Sequence, residues 1–366
     1  MSKAKFIILI IAGILILISV GLYTNFLQRR SNVPLINLNE NKPTTAIDTK
    51  DAPRLTTLAN NLEIPWALVF LPDRSILFTE RPGRVRFIDS NGVLSPTPIA
   101  VIDDVLSAGE GGLLGITIHP DFSENHFVYV YYTYSANGDE MLNRVVRFKF
   151  ENNTFSEKTI IVNAIPGAFF HNGGRIKFGP DRFLYITTGD SQNPSLAQNK
   201  NSLAGKILRV TDAGTEVFSY GHRNPQGITW DNNGKLYETE HGNSTLDELN
   251  IIEIGKNYGW PIIQGNQTRK NMETSIINSG PDTWAPSGTA YLNGFIFFAG
   301  LRGQALYEYN IANKNLIPHL KGEVGRIREV VVGPDNLLYI TTSNRDGRGI
   351  PDSTDDKIIR VNPAKL

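Results

Sequence analysis

Six times along the 366-residue chain an apolar run enters a Pro-Asp or Asp-Asn turn and continues into an apolar-aromatic segment. The copies are Trp66–Asp73, Leu114–Asp121, Gly174–Asp181, Gly227–Asn232 and Glu329–Asp335, with a weaker one at Ala290–Gly294. Each leads into a strand-like stretch such as Ile76–Thr79, Phe127–Val130 or Leu184–Thr187. Strand-and-turn repetition every roughly 40 to 60 residues predicts an all-β fold, a β-propeller with one four-stranded sheet per blade. Such a fold gathers loops from all its blades at one end of a central channel, so residues remote in sequence can build one pocket.

The composition supports this and narrows the function. With 33 Gly and 20 Pro the chain suits many short strands joined by tight turns. Lys+Arg and Asp+Glu balance at 36 each, so no global field points to nucleic acid or an anionic surface. The absence of cysteine excludes disulfides, thiolate metal sites and cysteine nucleophiles.

Residues 1–5 form a basic n-region with Lys3 and Lys5, and residues 6–28 are uncharged and rich in Ile and Leu. That length suits a transmembrane anchor better than a cleaved signal, and Ser19–Gly21 is a poor cleavage site. Residues 29–53 read as a flexible linker and residues 54–366 as the propeller domain. The expected location is therefore outside the cytoplasm, membrane-anchored and extracellular or periplasmic.

Four loop motifs carry candidate chemistry. Gly109–Gly115 is a glycine-dense turn entering a strand, without the Lys-Ser/Thr and helix of a phosphate loop. It is a functional loop or a tight blade-to-blade turn. In Phe169–Arg175, His171 stands at a strand start beside two glycines, placed for a general base or a local hydrogen bond. His126 and His319 have no polar company of note in the sequence. In Tyr220–Gln226, Arg223 and Asn224 put a guanidinium fork beside an amide, which suits a carboxylate or quinone-type ligand better than a metal.

The fourth, Glu240–Asn243 with Asp247–Asn250 and Asn257–Pro261, offers hard oxygen ligands of the kind Ca²⁺ takes, or a solvated acidic loop. Late in the chain lie Arg302, Arg326 and Arg328. Residues two apart on a strand share a face, so Arg326 and Arg328 point together with no obvious acidic partner. They imply a polyanionic ligand or a solvated rim.

Taken in order, Gly-Glu-Gly-Gly-Leu-Leu-Gly, His-Asn-Gly-Gly-Arg, Tyr-Gly-His-Arg-Asn-Pro-Gln-Gly and Asn-Tyr-Gly-Trp-Pro resemble the sugar dehydrogenases that use pyrroloquinoline quinone (PQQ). The likeness is to the aldose sugar dehydrogenase branch of the soluble quinoprotein glucose dehydrogenase family, and it covers residues 60 to 362. It implies a six-bladed propeller of four-stranded antiparallel blades, matching the six copies. It implies oxidation of the C1 hydroxyl of an aldose to a lactone, with PQQ and Ca²⁺ as cofactors and an external electron acceptor. His171 would be the base and Arg223 a catalytic and cofactor-binding residue. Asn224, Arg302, Arg326 and Arg328 would bind the cofactor. Gly242 and Asn243 would hold the catalytic Ca²⁺, and Asp247, Glu248 and Tyr258 match positions of further calcium.

Three residues depart from glucose dehydrogenase. Glu110 replaces a Gln near the sugar, Phe170 replaces an Asp before the histidine, and Asn243 replaces a Pro. An unpaired Glu110 in the pocket would turn acidic sugars away, and Phe170 leaves His171 without an acidic neighbour in sequence. Two other readings are a calcium-dependent propeller lactonase-type hydrolase and a non-catalytic cell-surface binding propeller. The arginine set argues against the first, and the retained His171 and Arg223 against the second.

Overall fold

Each repeat copy lies on the innermost strand of its own four-stranded sheet. In the computed structural model, which describes residues 51–366 apart from Asn137 and Asp139, these strands are Pro65–Phe70, Leu113–Ile118, Ile176–Phe178, Pro225–Trp230, Pro286–Leu292 and Ile327–Val332. They pack against one another in a ring, the sixth returning to the first. The fold is the expected six-bladed propeller of antiparallel blades, with almost no helix among the described residues. The stretch 6–28 and most of the linker lie outside the described residues, and no described helix is long and apolar enough to cross a membrane.

In five blades the strands follow one another in chain order. The sixth is completed by Leu55–Ala59 from the other end of the domain, which pairs with Ile358–Val361 in the register Leu55↔Val361 and Thr57↔Ile359. The ring is thus closed by backbone hydrogen bonds, and Leu68 and Phe78 of the first blade pack in one cluster with Leu337 and Ile358 of the last.

The repeated aspartate has a local task. In four copies its carboxylate accepts the N–H two residues on: Asp73 from Ser75, Asp181 from Phe183, Asp231 from Asn233 and Asp335 from Leu337. These turns join inner to second strands, at the end of the channel opposite the candidate site loops. The recurring signal therefore marks scaffold, and the unrepeated loops carry the site.

At their other end the inner strands are irregular. In five of the six blades the register slips where the inner strand begins, across Pro65/Ala67, Leu113/Ile116, Pro225/Gly227, Pro286/Thr289 and Ile327/Glu329. A bulge frees backbone groups from the ladder and re-aims side chains. Threonine hydroxyls of the preceding blade's second strand take up carbonyls there. Thr79 donates to Leu114 O at 2.6 Å, Thr239 to Ser287 O at 2.9 Å and Thr341 to Pro65 O at 2.9 Å. The last of these ties blade six to blade one.

Replacing Thr341 by Val keeps shape and removes that donor, leaving a buried carbonyl short of a partner. The expected cost is about 1–3 kcal/mol of unfolding free energy, read from denaturant titration. An unchanged midpoint would show that the hydroxyl contributes nothing to closure.

Candidate active site

The histidine is held by geometry that its sequence neighbours do not show. His171 sits in the left-handed backbone region, at φ +63°, a conformation that a non-glycine residue keeps only when its surroundings impose it. Two glycines allow it: a Cβ on Gly189 would strike the His171 carbonyl oxygen, and one on Gly109, itself at φ +58°, the Phe169 carbonyl oxygen. The glycine-dense turn is thus a close-approach surface that seats the histidine loop, with Glu110 N–H donating to Phe169 O at 2.7 Å.

An acidic partner comes from another strand end. Asp190, fully buried just past Leu184–Thr188, accepts from His171 Nδ1 at 2.7 Å. Its other oxygen accepts from the Trp260 indole N–H at 2.8 Å. The expectation that His171 lacks an acidic neighbour is corrected, because the partner is supplied 19 residues later in sequence. A proton on Nδ1 facing a carboxylate leaves Nε2 as the basic nitrogen. His126 and His319 also have partners that the sequence did not suggest, Glu151 at 3.0 Å and Glu308 at 3.2 Å.

Asn224 faces the same loop, its Oδ1 accepting the Gly173 N–H at 3.0 Å. Arg223 reaches the His241 and Asn243 carbonyls at 3.4 Å each and lies over the Trp260 ring at 5.3 Å. Beneath it, Ser219, His222 and Glu240 are linked through bonds of 2.8 and 2.9 Å. The connectivity is that of a hydrolytic triad, but all three side chains are sealed or nearly so. Glu240 instead accepts the Arg223 N–H at 3.0 Å, so the trio fixes the Tyr220–Gln226 loop.

Arg326 and Arg328 do meet at one point, but by a route other than strand alternation. Arg326 precedes the strand and Arg328 occupies its bulge. Contrary to expectation they share an acidic partner. Asp346 is 2.8 Å from Arg326 Nη2 and 3.9 Å from Arg328 Nη2. Two further bulge residues converge here: Gln226 accepts from Arg328 at 2.7 Å, and Trp66 lies 5.7 Å from its guanidinium. Arg302 stands in the Leu301–Gln304 turn at the same end, exposed, and does not join this pair at Asp346.

One carboxylate is little for so much buried cation. Burial pushes Arg328 down to about 9, Asp346 only partly offsetting it while Arg326 and Arg81 repel. Burial likewise lowers Arg81 and Arg223, and it drives His241 down to about 4. The Nε atoms of Arg81, Arg223 and Arg328 and the Nε2 of His241 are buried without a partner. Unspent buried donors of this kind fit a polyanionic ligand. Arg81 escaped sequence reading because its motif, Glu80–Gly83, looks like an ordinary turn.

The candidate calcium residues divide. The Asp247 carboxylate is spent on Gly242 N–H, Thr283 Oγ1 and the Trp284 and Ala285 N–H groups, at 2.6 to 2.8 Å. It staples the loop that presents Gly242 and Asn243 and does not fit a metal. The Tyr258 hydroxyl is likewise engaged, donating to Ile251 O at 2.7 Å. Glu248 differs. It borders a narrow cavity with Glu240, Gly242 and Tyr258, and burial with Glu240 nearby pushes it up to about 8. Burial and Glu240 also raise Glu238, one of whose oxygens is unpartnered. Carboxylates crowded this way fit a hard cation. Oxygens of Glu238 and Glu240 and a ring nitrogen of His222 lie within 4.8 Å of one another.

Fold and site together define a six-bladed propeller whose strand heads gather a carboxylate-held histidine and buried arginines at one end. The chain belongs to the Glucose / Sorbosone dehydrogenase family, which matches residues 62–351. A solved relative is the PQQ-bound aldose sugar dehydrogenase of Streptomyces coelicolor, 36% identical, covering 84% of this chain and 98% of its own, with a TM-score of 0.78. The aldose sugar dehydrogenase YliI of Escherichia coli is 30% identical over 79% of this chain and 90% of its own. Quinoprotein glucose dehydrogenase B of Acinetobacter calcoaceticus is 30% identical over 57% of this chain and 52% of its own.

Removing one arginine from the buried set is expected to weaken binding of a polyanion, for which PQQ serves as the probe. Arg326→Ala and Arg328→Ala should each cost about 1.5–3 kcal/mol, the worth of a charged hydrogen bond, by isothermal titration of PQQ. Affinities equal to wild type would make these arginines rim residues.

Proposed function

We propose that this protein oxidises the C1 hydroxyl of aldose sugars to the lactone, with PQQ as its redox cofactor. The observation that carries the reading is a carboxylate-held histidine in the same mouth as buried guanidinium groups that lack enough acceptors. His171 Nε2 takes the C1 hydroxyl proton, and Asp190 stabilises the imidazolium that results. PQQ, when bound, supplies the acceptor for the hydride that leaves C1.

Arg81, Arg326 and Arg328 would hold its carboxylates, with Arg302 at the edge, and Arg223 and Asn224 would complete its binding site. Arg223 also places positive charge where negative charge develops. Gly242 and Asn243 would offer carbonyls to a catalytic Ca²⁺, and Glu248 with the Tyr258 backbone would serve a structural one.

A lactonase-type hydrolase would need a ring of acidic and amide ligands at this mouth, where arginines stand. A purely binding propeller has no use for a buried aspartate orienting a strained histidine. Outside the described residues, we read residues 6–28 as an anchor that exports the domain. Electrons would pass to an external acceptor such as a quinone or cytochrome. Protease digestion of cells stripped of wall and outer membrane tests export, which a wholly protected domain would refute.

His171→Ala should leave PQQ affinity nearly intact and lower kcat by about 10² to 10⁴, the usual worth of a general base. Steady-state dye reduction over an aldose panel, with PQQ and Ca²⁺ added, reads this. Unchanged turnover would remove His171 from the mechanism, and no turnover of any aldose by the wild type would overturn the function.

Calcium makes a separate prediction. Adding Ca²⁺ should raise the Tm of the wild type, because a ligand bound only by the folded state stabilises it, by about 2.7 kcal/mol at a hundred times Kd. Glu248→Gln should lose most of that shift. An equal shift in both proteins would place the cation elsewhere.

A further inference from the structure

Glu110 is not the bare carboxylate that its sequence position suggests. Its Oε1 accepts from Arg348 Nη1 at 2.6 Å and its Oε2 from the His171 backbone N–H at 3.2 Å. Burial alone would raise its pKa, but the neighbouring His241, the Arg348 contact and the His171 N–H together outweigh that and hold it below the usual carboxylate range. Glu110 is therefore ionised, with both oxygens engaged. The expected repulsion of acidic sugars loses its source.

Arg348 is the opposite case. Its side chain is 50% exposed against 17% for Glu110. Among the described residues the guanidinium makes one hydrogen bond, to Glu110, and it lies 5.4 Å from the Phe170 ring. The remaining donors of its fork are unspent. The Arg348 N–H donates to Asp346 Oδ1 at 2.9 Å, while the other Asp346 oxygen holds Arg326. The loop that carries Arg348 is thus pinned to the buried arginine set.

Stability does not explain this arrangement. Half-exposed ion pairs contribute little, and ordering a long arginine costs entropy. This one spans 238 residues of sequence and joins loops of different blades beside the base. A guanidinium fork with free donors matches a carboxylate in two-point geometry. Phe169 and Phe170, both exposed, add apolar faces for the C–H face of a sugar ring.

We propose that Arg348 reads the end of the substrate remote from C1 and admits aldoses that carry a carboxylate there, the uronic acids. This rests on the aldose-oxidising reading of the site. Glu110 serves as the post that aims Arg348, and it reaches His171 only through the backbone.

The test compares glucose with glucuronate on wild type, Arg348→Ala and Arg348→Lys. Calorimetry measures binding of each sugar to the protein with PQQ and Ca²⁺ present, and dye reduction gives kcat/KM. Wild type should bind glucuronate at least as tightly as glucose. Arg348→Ala should lower glucuronate affinity and kcat/KM about ten- to a hundredfold, the effect of losing a charged hydrogen bond, and glucose values by clearly less. Arg348→Lys, which keeps the charge without the fork, should fall between.

Glucuronate affinity unchanged in Arg348→Ala, an equal loss for both sugars, or no glucuronate binding by wild type would each overturn the proposal. Failure of the wider function shows differently. In that event no aldose would turn over, while calorimetry would still report whether Arg348 binds the acid.

Discussion

The structure depends on a slip of register at the head of the innermost strands. In a propeller these strands surround one axis, and a regular ladder would send their side chains alternately into the two neighbouring layers. The bulges break that alternation. They turn Trp66, Gln226 and Arg328 toward a common point and leave carbonyls outside the ladder. The Thr79, Thr239 and Thr341 hydroxyls answer those carbonyls from the preceding blade. The same irregularity that aims the site residues therefore also joins the blades.

Electrostatics at the mouth follow from that crowding. Within the channel Arg175 pairs with Glu329 and lies over Trp66, and Lys177 donates to the Ile228 and Thr289 carbonyls, with burial pushing it down to about 8. Arg175 nevertheless keeps its Nη2 buried without an acceptor, and nearer the mouth Arg81, Arg223 and Arg328 each keep a buried Nε in the same state. Charge that is costly to bury persists where a ligand of opposite sign completes it. Asp346 holds Arg326 and, more distantly, Arg328, with the Ser343 carbonyl and Gln226 as their neutral partners.

The acidic side of the same end is divided into separate roles. Asp190 orients His171, Asp247 staples a loop through four donors, and Glu110 posts Arg348 at the rim. Glu238 and Glu248 lie near Glu240 inside blade four, where burial penalises the charge of those two. Which of these carboxylates could meet a cation is decided by how many donors each already serves. Asp247 and Glu248 are neighbours in sequence yet differ on that count.

The sequence by itself determined the number of blades, because the apolar run, the Pro-Asp turn and the following strand recur wherever an inner strand turns back. It also placed His171 just ahead of a strand and singled out Arg223, Asn224, Arg326 and Arg328, since glycine-rich and polar motifs punctuate the pattern there. The pairings belong to tertiary structure alone. Asp190 serving His171, Asp346 serving Arg326, Arg348 serving Glu110 and Thr341 serving Pro65 each join loops or blades. Sequence periodicity carries no trace of a bulge, and a bulge inverts which side of a strand faces the axis. Ring closure then brings residues as far apart as Glu110 and Arg348 into contact, a proximity fixed by the blade geometry and not by anything local to either residue.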